Sequence, residues 1–376
     1  MRVLFTASTL SHIRSFHLPY LRAFREAGWT VAVACGGAQA PLPEADQVLP
    51  LPFEKKMTAP SNLRAQRQLR RFLEENPCDL ICTHTSLAAF FTRRAVAGMR
   101  NRPKVVNVAH GYLFDDRTPG VKRQILLWAE RLTAGQTDLL LTMNAYDLEV
   151  ARRFHLGKRV AFIPGIGVDF SRLDGAAALD RKQVREELGF GAEDFVLVYA
   201  AEFSHRKSQA VLIRGLQRLP QRVKLLLPGQ GELWDTCRDL ALSLGLEDRV
   251  RFPGQVGDMV PLYAAADGAA SASRSEGLPF NVMEAMYTGL PVVASEVKGH
   301  TDLICPEENG LLYPYGSEEG FAQAVERLLT QPGLGERLGA RAREGMELYR
   351  LDRVLPQVME YYRSALPVGA EEKTIV

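Results

Sequence analysis

Glu276 and Glu284 stand eight residues apart in SRSEGLPFNVMEAMYTGLPVVAS, on either side of a Gly-Leu-Pro turn and in otherwise apolar company. A carboxylate buried in such a stretch needs hydrogen-bond donors, because leaving it unpaired is costly. The diol of a ribose supplies two, and the hydroxyls of a hexose ring serve Glu276 in the same way. Pro279 suits the first turn of a helix running to about Thr288, with Gly289 as its stop. The backbone N–H groups of Phe280, Asn281 and Val282, just past Gly277, would then face a phosphate or a sugar hydroxyl. A purely structural reading pairs Glu284 with a nearby Arg or Lys and leaves Glu276 in solvent.

Three further loops carry candidate chemistry. After FVLVYAA comes EFSHRKS, in which the adjacent cations Arg206 and Lys207 would neutralise a diphosphate leaving group. In NVAHGYLFDD, His110 ends an apolar run next to Gly111 and is either a cleft residue or a satisfied core histidine. In TASTLSHIRSFHLPYL, Ser8, Ser11 and His12 mark the passage from a strand to a helix, as a phosphate or acceptor loop or as a helix cap.

Several signals are missing. No Asp-x-Asp, Walker A or Gly-x-Ser-x-Gly motif occurs, and GIGVDF lacks the third glycine of a dinucleotide fingerprint. Cys78, Cys82 and His84 have a loose zinc-like spacing, but they are only three and sit in a run that reads as a buried strand, so no metal ligand is assigned. The five cysteines are odd in number and irregularly spaced, which argues against a disulfide framework and for a reducing, cytoplasmic setting.

The elements that must position these loops follow from the apolar pattern. RVLFTAS, TVAVAC, DLICTH, KVVNVAH, DLLLTM and RVAFIPG read as strands separated by amphipathic stretches such as SFHLPYLRAFREAG and GVKRQILLWAERLTA. FVLVYAAEF, RVKLLLPG, RVRFPGQV, DGAASAS, PVVASEV and GLLYPYG repeat the plan. The expected fold is α/β, with two doubly wound Rossmann-like domains of residues 1–170 and 171–350. An amphipathic helix within 351–376 would pack back across them. In such sheets ligands bind beyond the strands' carboxyl ends, here in a central cleft between the domains. Residues 1–170 hold 23 Lys and Arg against 14 Asp and Glu, whereas the remainder is net acidic. A basic first half suits an anionic partner or a phospholipid surface, unless its arginines are simply solvated on helices such as RAQRQLRRFLEE. No apolar run is long enough to span a bilayer.

Taken together the Glu-x7-Glu motif, PGIGVDFSRL and VRFPGQVGDMVPLYAAAD resemble the family 4 glycosyltransferases, retaining enzymes of the GT-B fold. SHIRSFHLPYLRAFREAGWTV, NVAHGYLF and YAAEFSHRKSQAVLI are similar to the bacterial capsule and exopolysaccharide branch. The resemblance implies that Glu276 faces the donor sugar, Glu284 the ribose and Lys207 the diphosphate, with His110 beside the transferred sugar. Glu202 stands where many members carry Arg and is not assigned to phosphate binding; TLSHIRS replaces the glycine pair of many relatives, which leaves that loop as a phosphate or acceptor loop with His12 and Ser11 as its candidates. The implied reaction moves a hexosyl or N-acetylhexosaminyl group from a nucleoside-diphosphate sugar, expected to be a UDP-sugar, without a metal or other cofactor. The implied acceptor is a lipid-linked saccharide at the inner membrane face, and no nucleic acid is expected. Rival readings are a GT-B nucleotide-sugar 2-epimerase and a non-catalytic nucleotide-sugar-binding scaffold.

Overall fold

The computed structural model describes residues 1–37 and 40–367, so the end of the expected tail segment, residues 368–376, lies outside the described residues. The chain forms two compact units, Met1–Gly167 with Asp352–Val376, and Val168–Leu351. The change from one to the next falls inside the Gly- and Pro-punctuated stretch PGIGVDFSRL.

In the first unit seven parallel strands run β1 Arg2–Ala7, β2 Thr30–Cys35, β3 Gln47–Pro50, β4 Leu80–His84, β5 Lys104–Ala109, β6 Leu139–Thr142 and β7 Val160–Phe162. Their order across the sheet is β3-β2-β1-β4-β5-β6-β7, the doubly wound arrangement that reverses direction beside β1. The register sets Phe5 opposite Val33 on one side and Cys82 on the other. These central strands are buried along nearly their whole length because helices cover both faces, which is why they read as continuous apolar runs. Strand β3 escapes the apolar pattern: QVLP is four residues long, partly exposed and ends in proline, which an edge strand tolerates. The segment expected as one helix is two, Leu10–Phe16 and Leu18–Glu26. Pro19 starts the second, since a proline without an N–H fits a first turn and not a helix interior.

The last helix, Leu351–Ser364, belongs to the first unit. Its Tyr362 is fully buried, with ring centroids 6.2 Å from Phe5, 5.9 Å from Phe24 and 6.0 Å from Tyr20. Its outer end is tied to the sheet edge, where Arg159 donates to the Ser364 carbonyl at 2.8 Å.

The second unit repeats the plan with β8 Phe195–Val198, β9 Val223–Leu226, β10 Val250–Arg251, β11 Gly268–Ser271, β12 Val292–Ser295 and β13 Leu311–Tyr313. They lie in the order β10-β9-β8-β11-β12-β13, again all parallel. Its core joins Leu197, Leu225 and Val293 of the strands to Leu212, Phe321 and Leu338 of the covering helices. In both sheets the loops that follow the central strands carry the polar residues singled out above.

Candidate functional site

Three loops of the second unit meet beyond the carboxyl ends of β8, β11 and β12. Tyr199, the residue after β8, is buried; its hydroxyl donates to the Lys207 carbonyl at 3.0 Å and shares a 2.8 Å hydrogen bond with Ser273 Oγ, just past β11. The Arg274 N–H donates to the Arg206 carbonyl at 2.8 Å, so the loop bearing the two cations is tied to the loop bearing Glu276. From the third loop, the Lys298 carbonyl accepts the Glu276 N–H at 3.2 Å. Gly299 follows with φ of +84°, and a Cβ built there would lie 2.7 Å from the Glu276 Cβ. Only glycine permits that approach.

This framework buries the Glu276 side chain between two cations. Lys207 Nζ donates to one carboxylate oxygen at 2.6 Å and Arg206 Nη1 to the other at 2.8 Å. Burial works against ionisation of Glu276, but the Lys207 ammonium and the Arg206 guanidinium outweigh it and hold its carboxyl at about 2. Beneath it His300 is fully buried; one ring nitrogen shares a 2.9 Å hydrogen bond with Ser271 Oγ, the other lies 2.7 Å from the Ser295 carbonyl oxygen, and burial lowers its pKa to about 4. The helix Phe280–Tyr287 starts directly after Pro279 with no side chain capping it, and Gly289 follows its end at φ of +81°. Glu284, on its buried face, pairs with Arg172 and accepts from the Tyr263 hydroxyl at 2.9 Å. Burial raises its pKa, against the pull of Arg172 and Tyr263.

The expected pieces are thus brought together, with one correction to each glutamate. Glu276 is not solvated, as the structural reading had it, and its oxygens are already engaged by Lys207 and Arg206. Glu284 has the cation partner that reading foresaw, so the chain itself supplies donors to it. Each carboxylate keeps lone pairs for a hydroxyl, and Lys207 and Arg206 keep N–H groups for a second anion. Gly277 and Asn281 are partly exposed beside them, whereas Val282 is buried.

In the first unit His110 follows β5 and lines a cavity of about 190 Å³ with Thr85, Ser86, Asn107, Gly111 and Glu130. His84, the last residue of β4, is fully buried with its Nδ1 3.1 Å from His110 Nε2. His12 and Ser11 lie in the first turns of helix Leu10–Phe16, which is capped by Thr9: its Oγ1 accepts from the His12 N–H at 3.3 Å and contacts Ser11 Oγ at 3.0 Å. The cap of this loop is therefore Thr9, and Ser8 instead bonds Thr85 at 2.6 Å. Cys78 donates to the Asn76 carbonyl and Cys82 is buried in β4; neither joins His84 in a ligand group among the described residues. Sequence reasoning passed over Arg172 and Tyr263, although both stand in quoted motifs, and over His17, Gly299 and His300. An arginine or tyrosine in a motif has no periodicity that reveals a partner 112 or 21 residues away.

Residues 180–345 match the family described as Glycosyl transferases group 1, and residues 18–165 the Glycosyl transferase 4-like domain. The chain is 32% identical over 380 residues to a Bacillus subtilis (strain 168) protein named "Putative glycosyltransferase EpsD", covering 100% of this chain and 99% of that one. It is a group 1 glycosyltransferase. This glycosyltransferase is also 24% identical over 277 residues to the Escherichia coli UDP-Gal:alpha-D-GlcNAc-diphosphoundecaprenol alpha-1,3-galactosyltransferase, covering 71% of this chain and 70% of that one. Among solved structures, Anabaena Alr3699/HepE in complex with UDP and glucose superposes with a TM-score of 0.80 at 20% identity, over 97% of this chain and 100% of that one. That likeness establishes the GT-B fold, with its two Rossmann-like sheets.

Proposed function

We propose that this glycosyltransferase moves a hexosyl or N-acetylhexosaminyl group from a UDP-sugar to a hydroxyl of a lipid-linked saccharide, with the anomeric configuration retained, in exopolysaccharide or capsule biosynthesis. The observation that carries the reading is the buried Glu276 held between Lys207 and Arg206 at the carboxyl end of a Rossmann-like sheet. Two fixed cations placed there neutralise a diphosphate, and the carboxylate keeps both in position before the donor arrives. The Bacillus subtilis relative supports the polysaccharide setting, the Escherichia coli relative a UDP-sugar and a diphospholipid acceptor, and the Anabaena structure a UDP-bound fold.

In the proposed reaction the anomeric C–O bond breaks and its electron pair passes to the β-phosphate oxygen, where Lys207 and Arg206 meet the growing charge. The acceptor oxygen bonds to the anomeric carbon on the same face, and its proton passes to the departing phosphate. Glu276 accepts from donor-sugar hydroxyls, Glu284 from the ribose, and His110 supports the transferred sugar, with Ser11 and His12 toward the acceptor. The two cations serve the diphosphate without a metal.

Contact with the inner membrane face is part of the same reading, and the helix Gly120–Ala134 supports it. Val121, Ile125, Trp128 and Leu132 lie along one stripe of that helix and are 78, 61, 62 and 42% exposed, and Leu113, earlier in the chain, is 64% exposed. The exposed cations Arg117, Lys122 and Arg131 accompany them, a combination that suits an anionic lipid surface. The arginines of Pro60–Glu75 suit it less, since Arg70 and Arg71 pair with Glu74 and Glu75 of their own helix. Among the described residues no helix is long and apolar enough to cross a membrane.

The test is a thermal-shift panel of UDP, GDP, ADP and CMP and their sugar conjugates, followed by transfer assays with the stabilising donor and a diphospholipid-linked sugar. UDP species should raise the melting temperature, and Glu284→Ala should remove the shift. Lys207→Met should lower kcat by about 10²–10³. Stabilisation by another nucleotide alone, or a UDP shift that survives Glu284→Ala, would overturn the donor assignment.

A further inference from the structure

Four of the five histidines of the first unit form a cluster, of which the proposed reaction uses His110 and His12 and leaves His17 and His84 without a role. His12 comes from helix Leu10–Phe16, His17 from the break before helix Leu18–Glu26, His84 from the end of β4 and His110 from just past β5. The rings of His17 and His84 lie 3.7 Å apart, those of His12 and His17 5.1 Å, and those of His12 and His110 5.0 Å. His17 and His84 are fully buried. Both ring nitrogens of His17, Nε2 of His12 and Nε2 of His84 are buried without a hydrogen-bond partner. A buried polar atom without a partner is costly, and a ligand shared by His12 and His17 would satisfy one nitrogen of each.

We propose that His12, His17 and His110 bind a divalent transition-metal ion of the zinc class, with one coordination position left open. Each offers one ring nitrogen, and the three nitrogens lie within 4.8 Å of one another. Zinc–nitrogen bonds of about 2.0–2.1 Å in tetrahedral geometry set ligand nitrogens about 3.3 Å apart, so binding draws the three rings together from separations of at most 4.8 Å. His84, hydrogen-bonded to His110, is the outer partner that sets its tautomer. Ligation takes the neutral imidazole, through a ring nitrogen that carries no proton. An all-imidazole set favours zinc, cobalt, nickel or copper over magnesium or calcium. With no carboxylate among its ligands, the ion keeps its full positive charge, and the open position suits an anionic oxygen such as that of a phosphate. This assignment leaves the diphosphate to Lys207 and Arg206, and it shares His110 and His12 with the sugar and acceptor side of the proposed reaction.

The experiment starts from full-length protein stripped with a chelator and titrates it with Co²⁺. One equivalent should develop the intense visible bands of a tetrahedral site, and Zn²⁺ should bleach them. His17→Gln and His12→Gln should each weaken Co²⁺ binding by about 10–100-fold or more, whereas His205→Gln, an exposed control, should leave it unchanged. Thermal unfolding of each variant shows whether it is folded before its titration is read. Wild type that gives no tetrahedral bands, or folded His12 and His17 variants that bind as tightly as wild type, would overturn the site.

Discussion

Lys207 and Arg206 each hold one oxygen of Glu276, whereas Glu284 sits on a buried helix face with Arg172 and the Tyr263 hydroxyl, so the two glutamates titrate in opposite directions. The Glu276 carboxyl, depressed from 4.5 to about 2, stabilises the fold fully above about 4.5, and that contribution is lost as pH falls toward 2. Glu284, raised above 4.5, favours the fold in its protonated form, and its contribution declines as pH rises through the raised value. Urea unfolding at stepped pH should therefore show a flatter acid limb for Glu276→Gln between pH 4.5 and 2. Glu284→Gln should instead gain relative stability above pH 4.5. Parallel profiles for both variants and wild type would sink this account. The glutamate pair itself was legible, because charge in an apolar run demands a reason. Its partners were not, since Arg172 and Tyr263 reach Glu284 only through the fold.

Gly299 does for the loop after β12 what a longer side chain there could not, letting the backbone pass against Glu276. A Cβ at φ of +84° and 2.9 Å from the Glu276 carbonyl oxygen makes Gly299→Ala destabilising by about 1–3 kcal/mol. At roughly 2–4 °C per kcal/mol that is a shift of several degrees in thermal unfolding. A change within error would show that the loop relaxes freely. The helix Gly120–Ala134 carries a separate prediction: Ile125→Glu with Trp128→Glu should abolish flotation with anionic vesicles, while Arg71→Glu should weaken it little. Equal loss from both would mean that the arginine-rich helix Pro60–Glu75 carries the surface as well, and would overturn its assignment to Gly120–Ala134. Sequence periodicity identified these helices, but not which apolar residues stay uncovered. A stripe of Val, Ile, Trp and Leu reads as core until neighbouring elements are placed. For the same reason β3 was missed: an edge strand buries too little to leave an apolar signature.

The chain leaves the first unit at Gly167, builds the second, and returns at Asp352 to finish the first with its last helix. Tyr362 fills a site lined by Phe5, Tyr20 and Phe24, residues more than 330 positions earlier. Tyr362→Ala should cost about 3–5 kcal/mol, as for other large aromatic truncations in a core. Hydrogen exchange should show the loss in β1 and helix Leu18–Glu26; if exchange accelerates only in the second unit, the helix is not part of the first core. By itself the sequence determined the two doubly wound sheets, their strand order class and the loops that carry charge, because burial on both faces of a parallel sheet writes itself directly as apolar runs. Only the tertiary structure decided which charges meet, which helix face stays bare and that four histidines from separate elements share one cluster. Those outcomes depend on distances between segments remote in sequence, which composition, periodicity and spacing do not encode.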